Sequence, residues 1–153
     1  MAKTEEKNTM MLEVVTPYQH FYEGRVDSVT LSTLDGELGI CPGHSPLVVA
    51  LTPGISRIVE NSKTKYAVMT EGYAEIGQHI VVVVCNAAEW PEDIDVARAR
   101  AAFDRASKRY HDAKTESDAQ VYARHSIRRA RVRIKAVEMY GTDKQKEHFN
   151  KTE

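Results

Sequence analysis

Short runs rich in Val, Ile, Thr and Tyr fill the chain up to residue 90, broken at Pro17, Gly24, Asp35-Gly36, Pro53-Gly54, Asn61-Ser62, Gly72 and Gly77. Runs of this length between turn formers predict a succession of β-strands. Val29, Leu31 and Thr33 alternate with Ser28, Thr30 and Ser32, as do Ile55, Arg57 and Val59 with Ser56, Ile58 and Glu60, so these strands are expected to show one apolar face each. Ile80-Val81-Val82-Val83-Val84-Cys85 has no polar interruption. A continuous β-branched run predicts a strand buried on both faces, placed centrally in a two-layer antiparallel sandwich.

After Pro91 the period lengthens. Ala99, Ala102, Phe103, Ala106 and Tyr110 recur at helical spacing, and Ala123, Ile127, Ala130, Ile134 and Val137 form a second such stripe that ends near Gly141. Asp93 is the expected N-cap of the first helix, with Asp95 in its first turn, where a negative charge complements the helix dipole. His111 to Asp118 lacks an apolar rhythm and reads as the connection of an antiparallel helical hairpin. Alanine dominates both stripes, so the seam buries little apolar area and the hairpin is expected to be weakly held. The fold class is therefore mixed, mainly β then α. A polar extension (1–10) leads into a β-sandwich domain (11–90), a helical hairpin domain (91–140) and a polar tail (141–153).

Charge refines this division. The net charge of −1 conceals six Lys and Arg against eleven Asp and Glu before Pro91, and fifteen against eleven from Pro91 onward. Arg124, Arg128, Arg129, Arg131, Arg133 and Lys135 lie within twelve residues with no acid among them, which suits an acidic partner better than a merely solvated face. Cys41 and Cys85 have no metal-ligand spacing and are expected as free thiols. No apolar run approaches the length of a membrane span, and the polar start predicts a chain without a secretory signal. The stretch from Gly36 to Leu47 holds five Gly or Pro among twelve residues and reads as a shaped loop, in which Glu37 and His44 are either contact residues or solvated ones.

Three segments in one order, Gly36 to Leu47, Glu71-Gly72-Tyr73-Ala74-Glu75-Ile76, and Glu92-Asp93-Ile94-Asp95-Val96-Ala97-Arg98-Ala99, resemble the epsilon subunit of the rotary F-type ATP synthase. The likeness runs over about residues 11–140. It implies a sandwich of about ten strands followed by two helices, in a non-catalytic central-stalk subunit on the cytoplasmic face of the cell membrane. The implied partners are the gamma subunit and the membrane c-ring, together with the catalytic alpha and beta subunits when the hairpin is extended. Glu37 and His44 match loop positions that face the rotor, and the basic helix, through Arg124, Arg128, Arg131 and Lys135, matches the one that meets the beta subunits. An up-and-down movement of the helices would inhibit ATP hydrolysis.

Ile94-Asp95-Val96-Ala97-Arg98-Ala99 further matches a motif with which some bacterial members bind ATP. Ile94, Asp95, Arg98, Ala99, Arg129, Arg133 and Glu89 are the implied ATP residues, with ATP as a regulatory ligand and no required cofactor. Guanidiniums four residues apart share a helical face and suit a triphosphate. Tyr122 stands where some ATP binders carry another arginine. Equally, Asp95 can serve the helix N-terminus and pair with Arg98.

Two other classes are weighed. An Arg-rich helix can neutralise nucleic-acid phosphates, but the first half is acidic and Tyr122 and Tyr140 are the only aromatics in that helix, so no nucleic-acid partner is expected. An independent enzyme would need a triad, metal spacing or phosphate loop around His44, Cys41 or the scattered histidines, and the sequence supplies none.

Overall fold

The computed structural model describes residues 8–150, apart from the side chain at 150. Ten strands come first: β1 (Met10–Val15), β2 (His20–Val26), β3 (Ser28–Thr33), β4 (Gly36–Ile40), β5 (Leu47–Leu51), β6 (Gly54–Glu60), β7 (Lys63–Met69), β8 (Gly72–Ile76), β9 (Ile80–Cys85) and β10 (Ala88–Glu89). A single 3₁₀ turn, Pro91–Asp93, leads to α1 (Val96–Asp112), α2 (Asp118–Tyr140) and α3 (Asp143–Asn150). The strands run in the order β10-β7-β6-β3-β5-β8-β9-β1-β2, with β4 on β3. Only the β1–β9 pair is parallel among the described residues.

The sheet folds over a core of Met10, Leu12, Val14, Val29, Leu31, Ile40, Ile58, Val81 and Val83, all at most 1% exposed. The alternation at 28–33 places Val29, Leu31 and Thr33 inward as expected. At 54–60 the core takes Ser56 and Ile58, whereas Ile55 lies on the other face and packs under the helices. Asn61 and Ser62, both at positive φ, form the tight turn between β6 and β7. Gly24 lies inside β2 and interrupts nothing. Gly72 is required by close approach: a Cβ there would stand 1.9 Å from the Val84 carbonyl oxygen.

Four expectations need correction. Strand β9 is paired on both edges, but its burial alternates, with Val81, Val83 and Cys85 inside and Val82 and Val84 only half-covered. Its apolar run reflects an apolar outer face, not two buried ones. Five of the twelve residues read as a shaped loop form strand β4, because Gly36 and Gly39 can join a ladder without side chains, Leu47 opens β5, and the loop is confined to residues 41–46. The N-cap of α1 is Asp95, not Asp93, because Pro91-Glu92-Asp93 closes a separate 3₁₀ turn. The first helix continues through His111 to Asp112, so the connection is short.

Of the segment read as a polar extension, residues 1–7 lie outside the described residues and β1 already begins at Met10. The segment read as a polar tail carries α3.

The hairpin lies folded against the sandwich. Val68 on β7 and Ile55 on β6 meet Ile94, Val96, Ala99, Val132, Ala136 and Val137 in a second apolar cluster. Beside it the rings of Tyr66 and Tyr140 stack, with centroids 3.7 Å apart and planes 10° from parallel. Trp90, at the junction, packs on the sandwich core against Phe21 at 4.6 Å and edge-on to Tyr22.

Candidate functional site

The first turn of α1 shapes the site. Asp95 adopts extended backbone angles, and its Oδ1 accepts the Arg98 backbone N–H at 3.0 Å, satisfying an amide that the helix leaves unpaired. The contact is with the amide of Arg98, so its guanidinium is not needed to cap the turn and the side chain stands exposed. Ile94, immediately before the cap, is buried against the sandwich and fixes where the helix starts.

Across from this turn, α2 brings two arginines to two carboxylates of the sandwich. Arg133 Nε donates to Glu89 Oε2 at 2.5 Å, on the short strand β10. One turn earlier, Arg129 Nη1 donates to Glu71 Oε1 at 3.0 Å and its Nη2 donates to Ser126 Oγ at 3.1 Å. Both pairs are partly covered, the arginines being 24% and 36% exposed, so water screens them less than a surface pair. Glu71 Oε2 is buried and has no hydrogen-bond partner among the described residues, so the Arg129 contact is what compensates that carboxylate.

A cleft of about 380 Å³ opens between α1, α2 and β10, lined by Glu89, Asp93, Ile94, Asp95, Arg98, Ala99, Ala102, Arg105, Ala130 and Arg133. Six of the seven residues expected around a nucleotide, Glu89, Ile94, Asp95, Arg98, Ala99 and Arg133, therefore converge on one cavity. Arg129 does not line it and is committed to Glu71. Arg105 was missed; it lies seven residues after Arg98 and hence on the same helical face, a spacing that could have flagged it. Glu71 was also missed, although its segment had been singled out.

The other expected positions are scattered. Glu37 on β4 lines a second cleft, of about 460 Å³, with Arg57, Tyr66, Lys135 and Tyr140, under the end of α2. His44 lies in the loop after β4, its Nδ1 2.7 Å from the Ser45 carbonyl oxygen. On α2, the guanidiniums of Arg124 and Arg131 sit over the rings of Tyr110 and Phe103 at 5.9 and 5.8 Å, tying the basic face to α1 by cation–π contacts. Arg128 and Lys135 are exposed. The outer face of β5, β8 and β9 shows Val48, Tyr73 and Ile80, which are 66%, 46% and 44% exposed, a larger apolar display than isolated surface residues make. Cys41 is exposed and Cys85 buried, both unpaired, and no metal-holding cluster occurs among the described residues.

Two family models match consecutive parts of the chain: the beta-sandwich domain of the ATP synthase delta/epsilon chain over residues 9–91, and its long alpha-helix domain over residues 92–138. The chain belongs to the ATP synthase epsilon-chain family. The ATP synthase epsilon chain of Halalkalibacterium halodurans is 44% identical over 126 residues, covering 82% of this chain and 95% of the relative. That of Caldanaerobacter subterraneus subsp. tengcongensis is 36% identical over 133 residues, or 86% and 96% of the two chains. Among solved structures, a chain of the Euglena gracilis mitochondrial ATP synthase, in an OSCP/F1/c-ring assembly, superposes with a TM-score of 0.71 at 20% identity, covering 86% of this chain and 81% of that one. A chain of the Tetrahymena thermophila enzyme, from its central stalk and c-ring, gives 0.57 at 21% identity, covering 83% and 95%. At those identities the likeness is one of fold, and it extends over sandwich and helices together. Membership of the epsilon family places the chain with the central stalk of the ATP synthase, whose complex couples ATP synthesis to proton transport.

Proposed function

We propose that this chain is a non-catalytic rotor subunit whose sandwich joins the gamma subunit to the c-ring and whose hairpin restrains ATP hydrolysis according to its position. The observation that carries the regulatory part is the convergence of Glu89, Ile94, Asp95, Arg98, Ala99 and Arg133 on one cleft while the hairpin is folded down. That cleft exists only where α1, α2 and β10 meet, so a ligand filling it favours the folded arrangement over an extended one.

The ligand of best chemical fit is ATP. Arg98, Arg105 and Arg133 supply three planar multidentate donors for a triphosphate, and the volume lies in the range of small-molecule pockets. Glu89 already holds Arg133, so phosphate binding exchanges one anion for another on that guanidinium and leaves Glu89 for the base. ATP shifts the hairpin only by its difference in affinity for the two arrangements, a tenfold difference being worth about 1.4 kcal/mol.

When the hairpin extends, Arg124, Arg128, Arg131 and Lys135 become available to an acidic segment of the catalytic beta subunits, among the alpha and beta subunits of the head. The exposed apolar face of β5, β8 and β9 suits the gamma subunit, and the loop bearing His44, together with Glu37, suits the rotor contacts. Peripheral placement on the cytoplasmic face of the membrane is part of this proposal, implied by the family resemblance; no helix among the described residues is long and apolar enough to cross a membrane.

Calorimetric titration of ATP into the chain tests the nucleotide reading: saturable heat that is lost in Arg98→Ala supports it, and no heat up to millimolar ATP removes it. Deleting residues 92–153 tests the regulatory reading. ATP hydrolysis by the assembled enzyme should rise, and an unchanged rate would remove the inhibitory role while leaving the family assignment intact.

A further inference from the structure

The family match ends at residue 138, and α3 begins five residues later, at Asp143. Its sequence, Asp-Lys-Gln-Lys-Glu-His-Phe-Asn, is almost wholly polar. Eight residues, seven of them polar, do not form a stable helix on propensity alone, so something outside the segment must hold it.

Gln145 is where it is held. Thr142 Oγ1 accepts the Gln145 backbone N–H at 3.3 Å, and Gln145 Oε1 accepts the Thr142 backbone N–H at 2.8 Å, a reciprocal capping box that starts α3. The amide nitrogen of the same side chain points the other way. Nε2 donates to the carbonyl oxygens of Pro91 and Ile94, each at 2.9 Å, and more weakly to that of Glu92 at 3.2 Å. Two of these carbonyls belong to the 3₁₀ turn that joins sandwich to hairpin, and the third, of Ile94, ends it. One side chain thus caps the last helix and clasps the hinge from which the hairpin swings. Phe149, one turn further on, joins the apolar cluster beneath the hairpin, and the Arg100 guanidinium lies 4.5 Å from its ring centroid.

We infer that α3 is a latch for the folded hairpin, with Gln145 as its clasp. It fastens three parts that must separate when the hairpin lifts: the hinge turn through Gln145, α1 through Arg100, and the interface cluster through Phe149. Because Ile94 also walls the cleft beside Asp95, a closed latch fixes that wall whether or not a ligand is present. The latch rests on the hairpin movement proposed above but goes beyond the nucleotide reading and does not depend on it.

Val68 offers a direct readout, since it is fully buried on the outer face of β7 beneath the hairpin. In a Cys41→Ser, Val68→Cys background, the thiol introduced at 68 reacts with an alkylating reagent only when the hairpin lifts. Native Cys85, buried in the sandwich core, reports opening of the sandwich itself. Gln145→Glu keeps the acceptor that caps α3 but removes the donor. Losing a hydrogen-bonded clasp of this kind should speed alkylation at 68 by about tenfold, with the rate at Cys85 unchanged; truncation after Thr142 should do at least as much. An unchanged rate at 68 in both variants would overturn the latch. Equal acceleration at 68 and 85 would also overturn it, since the effect would then be on the sandwich. Equal rates at the two sites in the parent background would instead contradict a hairpin that lifts as a unit.

Discussion

The sandwich and the hairpin are built on opposite terms. In the sandwich, Met10, Leu12, Leu31, Ile40 and Ile58 are fully buried or nearly so, and among the described residues the buried core is built of apolar side chains with a few Thr and Ser. In the hairpin the buried positions are mostly alanines, Ala99, Ala106, Ala123, Ala130 and Ala136, and the charged contacts Arg129–Glu71 and Arg133–Glu89 join it to the sandwich. Apolar burial is non-directional and cannot be traded for another partner without exposing the core. An arginine can instead take up another anion of matching geometry in place of its carboxylate. On the function proposed above, the contrast casts the sandwich as the permanent body and the hairpin as the part whose position is set from outside.

The largest expected effect breaks the contrast at its strong end. Leu12→Ala should destabilise the sandwich by about 2–5 kcal/mol, because a fully buried leucine leaves a cavity. Ala106→Gly, at an equally buried hairpin position, should cost about 1 kcal/mol, mostly in helix propensity. Urea unfolding followed separately on strands and helices checks both; comparable losses would mean that the hairpin is packed as tightly as the sandwich.

Arg129→Ala comes next. It leaves the Glu71 carboxylate, with its buried Oε2, uncompensated, and should weaken hairpin docking by about 1 kcal/mol after allowance for screening. Adding Glu71→Gln should restore part of the loss, and a double-mutant cycle on the alkylation rate of the thiol introduced at 68 measures the coupling.

A further expected effect lies in the sandwich's response to pH, confined to alkaline conditions. Burial pushes the Cys85 thiol up to about 11, and burial followed by the nearby Glu60 carboxylate pushes the Tyr22 hydroxyl up to about 12. Both groups hold their protons more tightly when folded. The stability they confer is complete below their unfolded values, 9.0 and 10.0, and declines as pH rises through the interval to the folded ones. Denaturation midpoints should fall from about pH 9 upward while remaining flat between pH 7 and 8, and Cys85→Ala should flatten that slope despite a lower plateau. For the same reason Cys41 should be alkylated well before Cys85 at pH 8.

How much of this was legible in the sequence follows from which forces leave a period. Alternation at 28–33 and the stripes at 99–110 and 123–137 record burial directly, and the structure reproduces them. The β9 run misled because an apolar outer face looks, in sequence, like a second buried one. The glycines of β4 misled because a ladder uses backbone groups that every residue carries. Six cleft residues were found through the family resemblance, which carried over Ile94, Asp95, Arg98 and Ala99 as one motif and Glu89 and Arg133 as matching positions outside it. Glu71 lies 58 residues from the Arg129 it binds, a distance that no local pattern spans. The role of α3 was least legible, since its attachment rests on Gln145 and Phe149 and leaves no apolar rhythm.

The central claim is that exchangeable charged contacts decide where the hairpin sits. A pair of spin labels tests it most directly, one on native Cys41 in the sandwich and one on Lys114→Cys at the hairpin tip, with the distance distribution compared between the parent and Glu71→Gln, Glu89→Gln. The account expects a single compact distance in the parent and a second, longer population, grown at least tenfold, in the double variant. An unchanged compact distribution would contradict it, and would assign the docking to the apolar cluster around Val68 and Val137 instead.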